Sequence, residues 1–254
     1  MSGLASPASA DSAAFLGEDG RPNGPVLALD SSTATGSVAV GDGDKLLAET
    51  VLNVGPGHSA ALLPAVDAAL KTAGLKPRDL AGVVVAAGPG SFTGLRIAAA
   101  SAKGMVAALG VPLFAYSGLM AAAGACWGAE RPVCAIFDAR RRDVYAACYR
   151  FGAGVEEVFA PRALTVDELV ERFRDDAHPP IFTGEAVAMH GEEIARALGA
   201  PVVPPLLAIS RASVLLWLAR AAPALGRVAD AAAWEPEYVR ASGAERIATA
   251  AAAG

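Results

Sequence analysis

The sequence predicts an α/β protein of two similar lobes, each a mixed β-sheet flanked by helices. A meander of short strands followed by helices occurs twice, over residues 26–54 and again over residues 133–159. A β-branched run at residues 83–85 leads through a glycine-rich turn into a long helical segment, which is typical of a strand, turn and helix in an α/β sheet. With 254 residues, the chain is long enough to bury a core in both lobes.

Composition excludes several classes of protein. The chain is 54% hydrophobic but only 6% aromatic, so its cores are built from Ala, Val and Leu. Its net charge of −5, from 21 basic and 26 acidic residues, argues against unaided nucleic-acid binding, which needs a concentrated basic face. The odd number of cysteines, three, with no C-x-x-C spacing, indicates reduced thiols and a cytoplasmic protein. Glycine and proline interrupt the uncharged stretch at residues 105–129, which excludes a membrane span.

The chain divides into four predicted regions. Residues 1–24 mix Ser, Ala, Gly and Pro and are predicted to be a disordered leader. Residues 25–115 form the first lobe and residues 116–240 the second. The Ala-rich residues 241–254 are predicted to be a flexible tail.

The first lobe opens with three strands joined by tight turns, and the first turn carries an acid followed by three hydroxyl side chains. An acid at a strand end beside hydroxyls can hold a phosphate through a metal ion or water. An Asx and Ser/Thr turn, whose side chains bond their own backbone, is equally compatible with the pattern. These residues are Asp30, Ser31, Ser32 and Thr33.

A helix over residues 59–73 follows, and then the strand that enters the glycine-rich turn. The turn lacks the Gly-Lys-Ser/Thr ending of a phosphate-binding Walker loop and the spacing of a nucleophile elbow. The glycine spacing is one residue too long for a dinucleotide-binding fingerprint. A turn that only lets the helix pack closely on the strand is a further possible interpretation. The motif residues are Gly88, Pro89, Gly90, Ser91, Phe92, Thr93, Gly94 and Arg96. Ser91 or Thr93 is predicted to cap the following helix, and Gly110 to end it.

The second lobe repeats this order without a visible sequence repeat. Strands are predicted at residues 133–138, 143–149, 155–159 and 181–184, the last ending at Gly184, and helices at residues 165–173, 192–198 and 210–220. The three histidines have no spacing for a metal site, so no metal centre is predicted. Asp30, Asp138 and Asp143 lie at strand ends and are the best candidates for carboxylates that could hold Mg²⁺ and a nucleotide.

Taken together, these segments resemble the bacterial TsaB family across about residues 25–240. The matching segments, in the family's order, are residues 26–33, 58 with 62–64, 88–96, 138–140 with 144–145, 183–184 and 235–240. Residues 88–96 are the most diagnostic of these. The resemblance implies an actin-like, sugar-kinase-like fold of two lobes, in agreement with the order of elements above.

The resemblance also implies a function without catalysis. TsaB-like chains are the dimerisation subunits of the machinery that makes threonylcarbamoyladenosine on tRNA. The catalytic sibling TsaD carries a His-x-x-x-His pair, and the matching residues 116–120 here contain no histidine. The resemblance therefore implies a heterodimer with TsaD, assembly with TsaE, and tRNA contact only through the complex. The resemblance implies that no cofactor is required. Weak nucleotide binding at residues 30–33 and Gly184 is a possibility that the sequence does not decide. The sequence also does not decide whether the isolated chain forms a homodimer.

TsaB-like chains pair through the two helices of the first lobe. The implied partner contacts are Leu62, Val66, Ile97, Ala98, Ser101, Ala102 and Met105. The alternative is that these residues pack only on their own sheet, since such a helix must bury one face. On the first interpretation, a large charged residue at Ala98 or Ala102 would abolish the complex and leave the fold intact.

Two rival functions follow from the same residues. An active phosphotransferase of this fold would use residues 30–33 and would bind and hydrolyse Mg-nucleotide alone. A peptidase would need a metal pair or a Ser/Cys–His constellation, and the sequence offers neither.

Overall fold

A computed structural model describes residues 12–53 and 58–239. It confirms the predicted two-lobed α/β fold, with two mixed sheets alternating with three layers of helices. The predicted tail and the first part of the leader lie outside the described residues. The rest of the leader, residues 12–24, contains a 3-10 turn at Ser12–Phe15, and Phe15 packs against the core of the first lobe. Leu16 also packs against a core cluster, and two apolar side chains of this kind are not visible in the average composition of a segment rich in small and polar residues.

The first sheet has five strands in the order β3-β2-β1-β4-β5. The strands are β1 (Pro25–Asp30), β2 (Thr35–Asp42), β3 (Lys45–Asn53), β4 (Gly82–Gly88) and β5 (Leu113–Ser117). The first three form the predicted antiparallel meander, while β4 is parallel to β1 and β5 is parallel to β4. The carboxyl ends of β1, β4 and β5 therefore meet at one edge of the sheet, where ligands of open α/β sheets bind.

The second sheet has four strands in the order β8-β7-β6-β9. The strands are β6 (Val133–Asp138), β7 (Asp143–Phe151), β8 (Val155–Thr165) and β9 (Ile181–Thr183). Strand β6 is antiparallel to β7 and parallel to β9, as β1 is to β2 and β4. The structure thus confirms the predicted duplication of the lobe topology.

Strand β8 is longer than predicted. The sequence indicates a strand over residues 155–159, yet pairing with β7 continues past Pro161 to Thr165. The register shifts between the Cys148–Phe159 pair and its neighbours, so Pro161 falls in an irregularity of an edge strand. Proline is tolerated there because no ladder hydrogen bond is required from its nitrogen.

The described residues contain seven α-helices, of which the last three follow the last strand. They are α1 (His58–Thr72), α2 (Phe92–Leu109), α3 (Gly118–Gly124), α4 (Val166–Phe173), α5 (Val187–Leu198), α6 (Ala212–Ala221) and α7 (Pro223–Gly226). The Ser91 side chain caps α2, and Gly110 ends it in a left-handed conformation, as predicted. None of these helices combines the length and the hydropathy needed to cross a bilayer.

The helices cover both faces of each sheet. Helices α1 and α2 cover the outer face of the first sheet, and α4 and α5 cover the outer face of the second. Helices α3 and α6 lie between the two sheets. Helix α6 follows the second sheet in sequence, yet its Leu215 and Leu218 pack against Val84 and neighbouring residues of the first sheet.

The chain then returns to the first lobe as a C-terminal strap, residues 227–239. The backbone nitrogen of Glu237 donates to the carbonyl of Ala87 at 2.8 Å. The Nζ atom of Lys103, on α2, donates to the carbonyl of Trp234 at 2.8 Å. The strap therefore joins the end of β4 to the side of α2.

Candidate functional site

The turn after β1 is folded on itself by hydrogen bonds. The Oδ1 atom of Asp30 accepts from the backbone nitrogen of Ser32 at 2.8 Å and from its hydroxyl at 2.7 Å. The hydroxyl of Ser210 donates to the other carboxylate oxygen. The hydroxyl of Thr33 donates to the carbonyl of Thr35 at 2.8 Å. This geometry is that of an Asx and Ser/Thr turn, one of the two interpretations that the sequence allowed; the other was a phosphate-binding loop.

The glycine-rich turn after β4 packs directly on this first turn. The backbone nitrogen of Ser91 donates to the carbonyl of Ser32 at 2.6 Å, and the hydroxyl of Ser31 donates to the carbonyl of Gly94 at 2.8 Å. A Cβ atom on Gly94 would lie 1.9 Å from the carbonyl oxygen of Ser31, and one on Gly90 would lie 2.0 Å from that of Ser32. Close approach of two backbone segments therefore requires glycine at both positions.

A phosphate held at the first turn would need outward-facing hydroxyl and amide donors. Here the hydroxyls of Ser31, Ser32 and Thr33 donate to oxygen atoms of the chain itself. The segment from Gly90 to Gly94 occupies the space against the carbonyls of the first turn. The three hydroxyl protons of this turn are therefore already bonded within the chain, and phosphate binding at residues 30–33 stays a prediction.

Gly184 lies in the turn after β9. Its φ is +95°, and a Cβ atom there would lie 2.4 Å from the carbonyl oxygen of Ile136, so packing on β6 requires glycine. The next residue, Glu185, reaches the first lobe, where its carboxylate accepts from the backbone nitrogen of Ala34 at 3.1 Å. Sequence reasoning missed Glu185 and Ser210 because their partners are 151 and 180 residues away and no motif marks either residue.

Glu185 makes the contact between the lobes dependent on pH. Burial raises its pKa above the ordinary value, while hydrogen bonds from the backbone of Ala34 and Asp138 act in the opposite direction. Since the folded chain holds this proton more tightly than the unfolded chain, the stability it contributes is complete below the ordinary carboxyl pKa. That stability is lost as pH rises through the raised pKa of the folded state.

We expect Glu185→Gln to raise the free energy of unfolding near neutral pH and to flatten its pH dependence. The amide keeps an oxygen for the backbone nitrogen of Ala34 and removes the buried charge. Urea unfolding of parent and variant at about pH 4 and about pH 7 measures both effects. Glu192→Gln, at an exposed position of α5, is the control. Identical pH dependence in the parent and Glu185→Gln would contradict the prediction.

The first residues of α2 fasten the C-terminal strap. The guanidinium of Arg96 lies 3.9 Å from the centroid of the Phe92 ring, and its Nε donates to the hydroxyl of Tyr238 at 3.3 Å. The rings of Phe92 and Tyr238 are 5.1 Å apart. Two segments that are diagnostic in the sequence, residues 88–96 and 235–240, are thus brought together by a cation–π cluster.

The structure separates the predicted partner contacts into two groups. The first group is buried in the core between α1, α2 and their own sheet, so it is not on a surface that a partner can reach. This group is Leu62, Val66, Ala98 and Ala102. Helical periodicity had selected the most apolar face of each helix, and that face packs on the sheet. The second group, half-buried on α2, is Ile97, Ser101 and Met105.

The surface that these two helices present outward consists mostly of small residues. We call it the outer α1–α2 surface. Its small and apolar exposed residues are Ala60, Leu63, Pro64, Ala68, Ala100, Gly104, Ala107 and Ala108, and its exposed polar and charged residues are Asp67, Lys71, Thr72, Thr93 and Arg96. Leu63 is its large apolar side chain, with 54% of its area exposed.

Sequence comparisons match the chain to proteins of tRNA modification. A family model described as TsaD: tRNA N6-adenosine threonylcarbamoyltransferase matches residues 53–246. The tRNA threonylcarbamoyladenosine biosynthesis protein TsaB of Bacillus subtilis (strain 168) is 33% identical over 175 residues, which is 68% of this chain and 76% of the relative. The protein of the same name from Escherichia coli (strain K12) is 36% identical over 128 residues, which is 49% of this chain and 58% of the relative.

Solved structures agree with these relatives. A crystal structure from Pseudomonas aeruginosa, described as an uncharacterized protein with similarity to peptidase YeaZ, has a TM-score of 0.71 at 30% identity. The match covers 85% of this chain and 100% of that one. A second structure, described as YeaZ from Pseudomonas aeruginosa, has a TM-score of 0.69 at 30% identity and covers 85% and 99%. The chain therefore belongs to the family that the TsaD model describes and, within it, to the TsaB proteins of bacteria.

Proposed function

We propose that the chain is a non-catalytic subunit needed for threonylcarbamoyl transfer to the adenosine beside the tRNA anticodon. It acts by forming a heterodimer with TsaD and by supporting the assembly of TsaD with TsaE. The observation that carries this proposal is the hydrogen bonding of the turn after β1, whose three hydroxyl groups donate to oxygen atoms of the chain itself. A phosphotransferase of this fold would need those groups for its nucleotide. The names of the relatives support the pathway.

The start of α3 supports a role without catalysis. Residues 116–120 match the segment that carries the His-x-x-x-His pair in TsaD, and they contain no histidine. Instead, the hydroxyl of Ser117 accepts from the backbone nitrogen of Met120 at 3.4 Å and caps the helix. The subunit therefore requires no cofactor of its own, and it meets tRNA only through the complex, in keeping with its net charge of −5. The complex works in the cytoplasm.

The outer α1–α2 surface supports the choice of partner site. Its small side chains allow the helices of another protein to approach closely, and nothing lies within 4 Å of a Cβ atom placed on Gly104. Leu63 supplies an exposed anchor at one side of the surface. Without TsaD, two copies of this chain can pair through the same surface.

We expect Leu63→Glu to weaken the heterodimer with TsaD about tenfold or more, because it removes an apolar anchor and places a charge in the interface. Calorimetric titration of TsaD into the folded variant measures the loss. Leu206→Glu is the matched control, since Leu206 is 86% exposed on the second lobe. If both variants bind TsaD as the parent does, the surface is wrongly assigned.

The function itself is tested by reconstitution. We expect tRNA threonylcarbamoylation by TsaD and TsaE, supplied with threonylcarbamoyl-adenylate as the donor, to depend on this chain, and the chain alone to hydrolyse no Mg-nucleotide. Light scattering coupled to size-exclusion chromatography shows whether the heterodimer forms. Nucleotide hydrolysis by the chain alone, with no heterodimer, would favour the phosphotransferase instead.

A further inference from the structure

Two of the three cysteines of the chain lie side by side in the second sheet. Cys134 on β6 and Cys148 on β7 are direct cross-strand partners in the antiparallel register. Directly opposed residues of antiparallel strands have Cα atoms about 4.5–5.5 Å apart, and the Cα atoms of a disulfide are usually about 4.4–6.8 Å apart. The pairing of the strands therefore places the two backbones at a separation that a disulfide can span.

Both side chains point to the same face of the sheet. Cys134 and Cys148 have no exposed area and belong to the core cluster under α4 and α5, whereas the adjacent Ala135 and Ala147 belong to the cluster on the opposite face. Burial raises the pKa of the Cys134 thiol, and a hydrogen bond with Cys148 raises it further. The two thiols are thus in contact, and that of Cys134 stays protonated while the sheet is closed.

Strand β8 determines how an oxidant reaches this pair. It is an edge strand, and its register on β7 shifts on both sides of the pair formed by Cys148 and Phe159. Disrupted pairing at an edge lowers the free energy of local opening, so β8 can separate from β7 without unfolding of the lobe. Displacement of Phe159 then exposes the sulfur of Cys148 first, because Cys134 lies on the central strand β6.

We propose that Cys134 and Cys148 are a redox pair that hydrogen peroxide converts to a cross-strand disulfide in the folded chain. The Cys148 thiolate attacks one peroxide oxygen and the O–O bond breaks, which gives a sulfenic acid and hydroxide. The Cys134 thiolate then attacks this sulfur, forms the S–S bond and displaces a second hydroxide. The protons of the two thiols convert both hydroxides to water. Two thiols and one peroxide therefore give one disulfide and two water molecules.

The bond closes a loop over residues 134–148 and ties β6 to β7. A cross-link of this kind restricts the unfolded chain, so we expect the oxidised chain to unfold about 5 °C or more above the reduced chain. The pair lies in the second lobe, whereas the outer α1–α2 surface lies in the first. The proposal therefore goes beyond the heterodimer and does not depend on it.

Oxidation of the folded full-length chain tests the pair. The chain is incubated with millimolar hydrogen peroxide without denaturant, and the remaining thiols are then labelled with N-ethylmaleimide in urea. We expect Cys134 and Cys148 to escape labelling together, and a peptide map without reductant to show them joined. Treatment with dithiothreitol should restore both thiols. Thermal melting of the oxidised and reduced chains measures the expected stabilisation.

Cys126→Ala is the matched control, because Cys126 is only half-buried and lies outside the pair. This variant should form the same bond, whereas Cys134→Ala and Cys148→Ala should form no disulfide within the chain. Circular dichroism establishes that each variant is folded. The proposal is overturned if both thiols of folded Cys126→Ala stay free, or if one is oxidised while the other stays free. Formation of the bond only in urea that unfolds the chain, or a lower unfolding temperature after oxidation, would equally contradict it.

Discussion

Gly94→Ala is expected to destabilise the chain by about 3 kcal/mol or more, or to prevent it from folding. The added methyl group would lie 1.9 Å from the carbonyl oxygen of Ser31. The obstacle is backbone, so it cannot move aside as a flexible side chain would. Separating the two turns also breaks the hydrogen bond from the Ser31 hydroxyl to the Gly94 carbonyl. Urea unfolding followed by circular dichroism measures the loss.

Gly104→Ala is the matched control, because Gly104 lies on the same helix and faces open space. Alanine is a better helix former than glycine by about 0.5–1 kcal/mol, so this variant should be more stable than the parent. The two glycines of α2 are thus expected to give effects of opposite sign. Equal stability of the two variants would show that the contact between the turns is not tight.

Ala102→Glu is expected to destabilise the first lobe by about 4 kcal/mol or more, since it places a carboxylate in the core without a partner. Ala102 has no exposed area and packs between α2 and the first sheet. Thermal melting and the intensity of near-ultraviolet circular dichroism report the loss of packing. Binding to TsaD should fail as well, but as a consequence of unfolding.

Ala100→Glu tests whether that effect belongs to the core. Ala100 is exposed on the same helix, and substitutions at exposed positions are usually within about 0.5 kcal/mol of the parent. A folded Ala102→Glu that binds TsaD normally would contradict the burial described above. The expectation that a charged residue at Ala98 or Ala102 would leave the fold intact is abandoned, because both side chains are buried.

Much of the fold could be predicted from local signals. Apolar runs bounded by glycine and polar turns marked the strands, and the repeated order of elements predicted two lobes with the same topology. Ser91 and Gly110 marked both ends of α2 correctly because capping side chains and left-handed glycines act locally. The helix predicted at residues 165–173 is α4, whose first turn carries a capping box between Thr165 and Glu168.

Other features depended on contacts that the sequence does not display. Helix α5 begins at Val187 rather than at the predicted residue 192. The prediction missed this start because no side chain caps the first turn of the helix. The bond from Ser210 to Asp30 joins residues 180 positions apart. The apolar periodicity of α1 and α2 identified a buried face but could not tell whether a sheet or a partner covers it. Only the packing of Ala98 and Ala102 on the first sheet decides that question.

The return of α6 to the first sheet bears on how the chain folds during synthesis. The inner face of that sheet, including Ala28, Ala39 and Val84, is covered by a helix that is translated after the whole second sheet. A nascent chain that ends at residue 115 therefore exposes this apolar face to water. Domains generally fold as units as they emerge from the ribosome, but this first lobe must wait for residues 212–221. The nascent chain thus presents an apolar sheet face to chaperones until residues 212–221 have been translated.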